Sequence, residues 1–421
     1  MSFIQRTPIA DGVYFNSVRD SRFKTMKLSV HLFVPLSAET ASENALIAGV
    51  LSRSCKAYPD FTALSRKLSA LYGADLNVSS AKIGENQVIS ISASGLDDRY
   101  AIDGESIAKE LSVLLCGVIF EPNLSGRAFV AGEVEQERRQ LLDLIDSEYN
   151  EKRIYANARL IEIMCADEVF GIKRYGTAEA IRAATPESLY TAWEKLLKDA
   201  VAEIIYIGDS SPEKAVEVFT KAFQSIPRTP VTLRTEVIRE AGEVKRVTEE
   251  IEVSQSKLVM GFRAGIALPE TETRAAGLMC TILGGTATSK LFCNVREKQS
   301  LCYYCAARYD KDKGIIVIDS GVEGENIEKL EAGILKEIDD MKNGVISDFE
   351  IDSAKMAIIN AYQGSNDTVG GIESWFARQL LQDGFRTIEE ESALLSAVTR
   401  EEIIAAANKL TLDTVYVLKN K

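Results

Sequence analysis

A single histidine, His31, occurs in the 421 residues. Zinc chemistry built on paired imidazoles needs at least two, so this chain alone cannot assemble such a site. His31 lies in KLSVHLFV, where Leu28, Val30, Leu32 and Val34 share one strand face and the imidazole takes the other. With no partner motif around it, it reads as a sheet-surface residue and not as a catalytic base. Also missing is any apolar run near the ~18 residues that a membrane span requires. The N-terminal MSFIQRTPIADGVYF has no basic-then-apolar leader pattern, so a soluble, cytoplasmic protein without membrane association is expected. Basic residues are in deficit, 49 against 62 acidic ones for a net charge of -13. That balance argues against a phosphate-tracking surface, and hence against nucleic acid as a partner.

The cysteines do not make a disulfide framework. Seven of them, at 55, 116, 165, 280, 293, 302 and 305, form an odd set that suits free thiols in a reducing compartment. Cys302 and Cys305 spell C-x-x-C, with no second such pair. On a regular strand residues three apart face opposite sides, so a shared metal or bond is not expected. A cysteine nucleophile would in turn lack its base.

What is present is an ordinary globular composition, 46% hydrophobic and 26% charged, in a chain long enough for two or more domains. Helical periodicity and turn signals place a helix around Ser42–Ser54, another at Phe61–Leu71, strands at Ala74–Ser80 and Gln87–Ser94, a helix at Ile107–Ile119 and a long helical region from about Arg127. Thr185-Pro186-Glu187-Ser188 opens a further helix that leads to the strand Ala202–Ile207. From about Gln224 to Glu249 the text turns to proline, threonine and charge and reads as a linker.

The order of elements then repeats. LSRKLSALYGADLNVSSAKIGENQVISIS, from Leu64, is matched by LFCNVREKQSLCYYCAARYDKDKGIIVID, from Leu291; TPESLYTAWEKLLKDAVAEIIYIGD, from Thr185, by TREEIIAAANKLTLDTVYVLKN, from Thr399. A repeat of roughly 200 residues is a duplication and not a solenoid. The expected fold is α+β: two duplicated domains, 1–223 and 250–421 with a 224–249 linker, each an antiparallel-rich sheet with helices packed on one side.

The most telling stretch runs from Ile282 to Arg308. After the glycine turn Gly284-Gly285, a helix reading LFCNVREK ends in Arg296, and an aromatic strand follows with Tyr303. A guanidinium fork at a helix end and a phenol on the next strand suit one peptide carbonyl between them, for binding or for oxyanion stabilisation. Gly284 and Gly285 could abut substrate backbone, or serve turn formation alone. No Gly-Lys-Ser/Thr follows them at the spacing of a phosphate loop.

The duplication, together with GG-x4-KLF-x2-VREK-x2-L-x-YY in the second half, resembles the pitrilysin/insulinase metallopeptidases, in particular their half-length, processing-peptidase-like group. The likeness spans nearly the whole chain, and Tyr175-Gly176-Thr177 and Thr185–Asp209 share in it. The resemblance implies that Arg296 and Tyr303 hold substrate backbone. It also implies an inverted zinc motif, H-x-x-E-H, on the first helix and a glutamate on the later long helix. Here the motif's positions are filled by Ala45, Ala48 and Gly49, and the distal position falls near Leu144. Glu137, one to two turns earlier, reads as a solvated helix-face charge. The chain thus lacks the zinc-bearing half of a site and keeps the substrate-holding half. Family chambers of this half-length kind form between two chains. The expectation is therefore no cofactor on this chain, zinc only in a homologous partner (a heterodimer, or else a self-dimer), and a peptide substrate. The alternative is a catalytically inactive peptide-binding or structural scaffold of the same fold.

Overall fold

Two strands with apolar residues on both faces set the architecture. Residues 4–382 and 384–421 are described in a computed structural model of the chain; the start of the stretch read for a leader, residues 1–3, lies outside them. The first sheet has β1 (Ile4–Ala10), β2 (Val13–Arg19), β3 (Thr25–Pro35), β4 (Asp75–Ile83), β5 (Asn86–Leu96) and β6 (Val201–Gly208), in the order β1-β2-β6-β3-β5-β4. All neighbours are antiparallel except β2 and β6. The second sheet has β7 (Lys245–Ile251), β8 (Ser256–Arg263), β9 (Cys302–Asp310), β10 (Ile315–Val322) and β11 (Thr411–Asn420), in the order β7-β11-β8-β10-β9, with β7 and β11 parallel. Setting β1 aside, the two orders are the same topology. The late strand of each half inserts between its first two, which is what a duplication leaves behind.

On one face of the first sheet, Leu28, Val30 and Leu32 of β3 meet Leu46, Ile47 and Val50 of the helix Ala41–Leu51, Leu111 and Leu115 of Ile107–Phe120, and Phe219 of Glu213–Gln224. The helix Pro186–Asp199 joins them, started by Thr185 and Ser188, each of whose hydroxyls accepts from the other's backbone N–H. The second sheet repeats this with Met260 and Phe262 of β8 against Leu278 and Ile282 of the helix Thr273–Gly284 and Ile334 of Ile327–Lys342.

The other face of each sheet is covered as well, which differs from the one-sided layer expected from sequence. Phe33, Val88, Ile205 and Ile207 pack beneath Val369, Ile372 and Phe376 of the helix Val369–Ala377. In the second half, Val259, Tyr416 and Leu418 pack beneath Ala156 and Leu160 of the helix Lys152–Met164. The apolar second face of each sheet requires such a cover. Each cover comes from the other half of the sequence. One compact unit takes the chain to Ile145, Ile172–Arg234 and Ser365–Thr387; the other takes Asp146–Gly171, Thr235–Gly364 and Ile388–Lys421. A single cut near the 224–249 segment therefore does not describe the units, and that segment's end, Lys245–Glu249, is part of β7. Among the described residues, no helix is long and apolar enough to cross a membrane.

His31 shows the consequence. It does sit on the second face of β3, but only 7% exposed and not at a sheet surface. Its Nδ1 lies 2.8 Å from Ser90 Oγ and its Nε2 3.0 Å from Glu373 Oε1 on the covering helix. Ser29 donates to the same carboxylate at 3.1 Å and Lys27 approaches it at 3.4 Å. Burial alone would raise the Glu373 pKa, but the hydrogen bond and charge of His31, helped by Lys27 and Ser29, hold it down to about 2. A carboxylate whose folded pKa is depressed adds stability above its ordinary value of 4.5, lost as pH falls from there toward about 2. Urea melts between pH 5 and pH 3 are therefore expected to show a steeper loss of midpoint in the wild type than in Glu373→Gln. Parallel pH curves for the two would remove Glu373 as the source of acid sensitivity.

Candidate functional site

The helix Ala41–Leu51 has no charge in its middle and is buried nearly all round, with Ala45 at 7% and Ala48 at 3% exposure. At Gly49 the helix Ala131–Asn150 comes so close that an added Cβ would overlap the Glu137 carboxylate. Glu137 is itself only 9% exposed and pairs with Arg53 through Nε. The expectation of a solvated helix-face charge fails here, because Val134 and Glu137 form the face turned toward Ala41–Leu51. One turn back, Ser54 donates to Glu133 Oε1 at 2.6 Å. Burial raises the Glu133 pKa, with Ser54 and Arg53 opposing. Leu144, further along the same helix, is 40% exposed.

These residues do not fit a zinc ion. Alanine and glycine have no donor atoms, and the Glu137 carboxylate against Gly49 is paired with a guanidinium that supplies the positive charge a buried carboxylate needs. Among the described residues, no three His, Cys, Asp or Glu side chains converge as a metal site would require.

The second half presents a different surface. Leu291–Lys298 is wound as a π-helix and not as the α-helix expected from its periodicity. Gln299 N–H reaches Asn294 O at 3.2 Å, and Leu301 N–H reaches Val295 O at 3.3 Å. Leu291 and Val295 point into the core, while Asn294 donates to the buried Glu337 at 2.8 Å. Such windings recur at functional sites. Ser300, at φ 53, then turns the chain into β9 through the left-handed region, at a cost of about 1–2 kcal/mol for a residue with a Cβ.

Arg296 lies with its guanidinium 4.5 Å from the Phe292 ring centroid and 3.6 Å from Glu297 Oε1, its side chain 38% exposed. Tyr303 stands 58% exposed on the edge strand β9, and its hydroxyl donates to Glu323 Oε1 at 2.6 Å. That bond raises the Tyr303 pKa. It also occupies the one hydrogen a phenol has to donate, leaving its acceptor lone pairs. Arg296 thus sits on the Leu291–Lys298 winding and Tyr303 at the start of β9, and no contact among the described residues joins them. Glu323 was not among the residues singled out from sequence. It stands just past the Val322–Cys302 pair at the end of β10, and only its side chain reaches back to Tyr303.

Gly284 has a packing reason: an added Cβ would lie 2.7 Å from Ala307 N, so the helix could not approach β9 as it does. Gly285 closes the helix at an exposed position. The C-x-x-C reading changes too. Gly321 pairs with Tyr304 but Val322 with Cys302, so Tyr303 is the extra residue of a β-bulge. The bulge resets the alternation and places Cys302 and Cys305 together on the core face.

Comparison with known proteins accords with this geometry. Residues 183–358 match the family model described as Peptidase M16 inactive domain. Over 408 residues the chain is 31% identical to the probable inactive metalloprotease YmfF of Bacillus subtilis, covering 97% of this chain and 96% of that protein. This chain belongs to the M16 peptidase family. Within it, this is a member without the zinc motif. A crystal structure of a conserved protein from Enterococcus faecalis superimposes with a TM-score of 0.93 at 27% identity over 99% of both chains. The peptidase M16 inactive domain from Pseudomonas fluorescens has the same fold, with a TM-score of 0.79 at 19% identity over 99% of this chain and 98% of that one. The mixed α/β, duplicated architecture is thus that of M16 peptidases.

Proposed function

We propose that this M16 protein is the non-zinc, substrate-holding subunit of a two-chain zinc peptidase that acts on peptides or unstructured segments. The observation that carries the proposal is an asymmetry between its halves. Where zinc would sit, an Arg53–Glu137 ion pair lies against Gly49; where substrate backbone would lie, Arg296 is part-exposed on Leu291–Lys298 and Tyr303 is exposed on an edge strand. An edge strand offers unpaired N–H and C=O groups to an extended peptide, and Gly285 leaves the approach clear. The partner in this reading is a homologous chain bearing H-x-x-E-H. A reducing, cytoplasmic setting agrees with cysteines that are all free.

A second reading, a peptide-binding scaffold with no zinc partner, gains from Glu323, which occupies the Tyr303 hydrogen that an oxyanion would need. One experiment separates them. The purified chain is expected to hold only traces of zinc after dialysis and to cleave nothing. Mixed with a homologous H-x-x-E-H chain, it is expected to elute as a larger species with peptide cleavage well above that of the partner alone. About one tightly bound zinc per isolated chain would overturn the assignment of the first half. A partner equally active alone, with no complex formed, would leave the scaffold.

A further inference from the structure

Further along β9 lies a charge cluster that the Arg296–Tyr303 pair does not use. Tyr304, Ala306 and Arg308 share the second face of the sheet, the one covered by the helix Lys152–Met164, and Ala306 pairs with Asp319 of β10. Asp319 is fully buried, so its carboxylate needs a counter-charge. Arg153 of the covering helix supplies one, through Nε and, at 3.2 Å, through Nη2, while its guanidinium lies 4.3 Å from the Tyr304 ring centroid. Asn157 adds a donor at 3.5 Å. Arg308 is therefore a second guanidinium beside a carboxylate already paired. Its Nη2 stands 3.4 Å from Asp319 Oδ1 and donates to Asn157 Oδ1 at 2.9 Å. Among the described residues its Nε and Nη1 have no hydrogen-bond partner, and its side chain is 55% exposed on an edge strand.

The two guanidiniums leave one positive charge in excess over Asp319. Lys257, with Nζ 5.6 Å from the Tyr304 centroid, adds another, which the nearby Glu151 offsets. The cluster is thus locally positive in a chain whose net charge is -13. The duplicated first half shows that the fold calls for none of this. β4 and β9 are both nine residues long, and in matching register Ala81 stands where β9 has Arg308, and Ser90 where β10 has Asp319.

We propose that Arg308, backed by Arg153, is a specificity-determining residue that takes the carboxylate of an acidic side chain, aspartate or glutamate, on the held peptide. Resting on the reading given under Proposed function, this assigns the substrate class of the same site. An extended peptide added at the free edge of β9 lies about 4.8 Å from it, with alternate side chains on the second face beside Tyr304, Ala306 and Arg308. Opposite charges facing each other across strands attract, and a guanidinium with N–H groups to spare bonds a carboxylate in its fork. Arg308 lies roughly 15 Å along the bulged strand from Tyr303. The acidic side chain therefore belongs about four to five residues from the carbonyl held at Tyr303. The net charge of the whole chain favours basic peptides instead, so the two predict opposite preferences.

The test uses short fluorescent peptides of alanine, serine and valine, amidated at the C-terminus, with a single glutamate moved through every position and glutamine or lysine as the control. Their affinities for the full-length chain are read by anisotropy. At one position glutamate is expected to bind about tenfold more tightly than glutamine, the lower range for a hydrogen bond to a charged group, and the preference should shrink in high salt. Arg308→Gln should abolish it, Arg308→Lys should keep part of it, and Arg308→Glu should turn it toward lysine. An Arg308 that only packs against Asp319 would change the melting temperature and leave the glutamate-to-glutamine ratio as it was. In the reconstituted two-chain peptidase, Arg308→Gln is expected to raise KM for the glutamate peptide with kcat nearly unchanged. Equal affinities for glutamate and glutamine at every position, a preference that survives Arg308→Gln, or one that appears only with a free C-terminal carboxylate would each overturn the assignment. Peptides bound without regard to charge would do so while leaving the substrate-holding reading in place; no binding of any peptide would bring down that reading itself.

Discussion

Tyr303→Phe is expected to lower turnover of the reconstituted two-chain peptidase by about a hundredfold or more, the usual cost of removing one donor from an oxyanion site. The substitution keeps the ring and removes only the hydroxyl, which is exposed and bonded to Glu323, so the melting temperature should hardly move. Arg296→Lys keeps the charge but loses the planar fork and is expected to be poorly active as well. Because the hydroxyl hydrogen rests on Glu323, Glu323→Ala frees it for a substrate carbonyl and is expected to leave turnover at or above wild type. A purely structural Arg296 predicts the reverse: lowered melting temperature on replacement, with activity per folded complex unchanged. Cleavage rates and thermal melts on the same variants separate these outcomes. Full specific activity in both Tyr303→Phe and Arg296→Ala complexes would sink the substrate-holding role.

The second large effect is expected in the other half. Arg53→Met should destabilise the chain by about 3 kcal/mol, because it leaves the Glu137 carboxylate buried against Gly49 without its counter-charge. Replacing both, as Arg53→Met with Glu137→Leu, should recover most of that loss, since well-packed apolar residues often match a buried pair. Denaturant midpoints over the full double-mutant cycle measure the coupling. Simple additivity of the two single substitutions would mean that the pair contributes nothing as a pair. Restoring the H-x-x-E-H residues at Ala45, Ala48 and Gly49 alone should give no tight zinc site, as the distal ligand position stays Leu144 and Glu137 stays paired with Arg53.

How much of this was legible beforehand follows from what each feature depends on. The identity of side chains and their spacing is local information. One histidine, aliphatic residues and glycine at the zinc positions, Arg296 and Tyr303 seven apart, and two matching runs of elements could therefore all be read directly, and they determined the family, the duplicated fold and the lost metal chemistry. The partners of those residues are set by packing between distant segments. Arg53 and Glu137 are 84 residues apart, and His31 meets Glu373 across 342. No periodicity within a helix or strand announces such pairs. From sequence the second face of β3 read as a sheet surface, because the helix that covers it comes from the far half of the chain. The bulge at Tyr303 is the sharpest case. One unpaired residue inverts the facing of every residue after it, so strand alternation, sound elsewhere in β9, put Cys302 and Cys305 on opposite sides, and only the register against β10 brought them together.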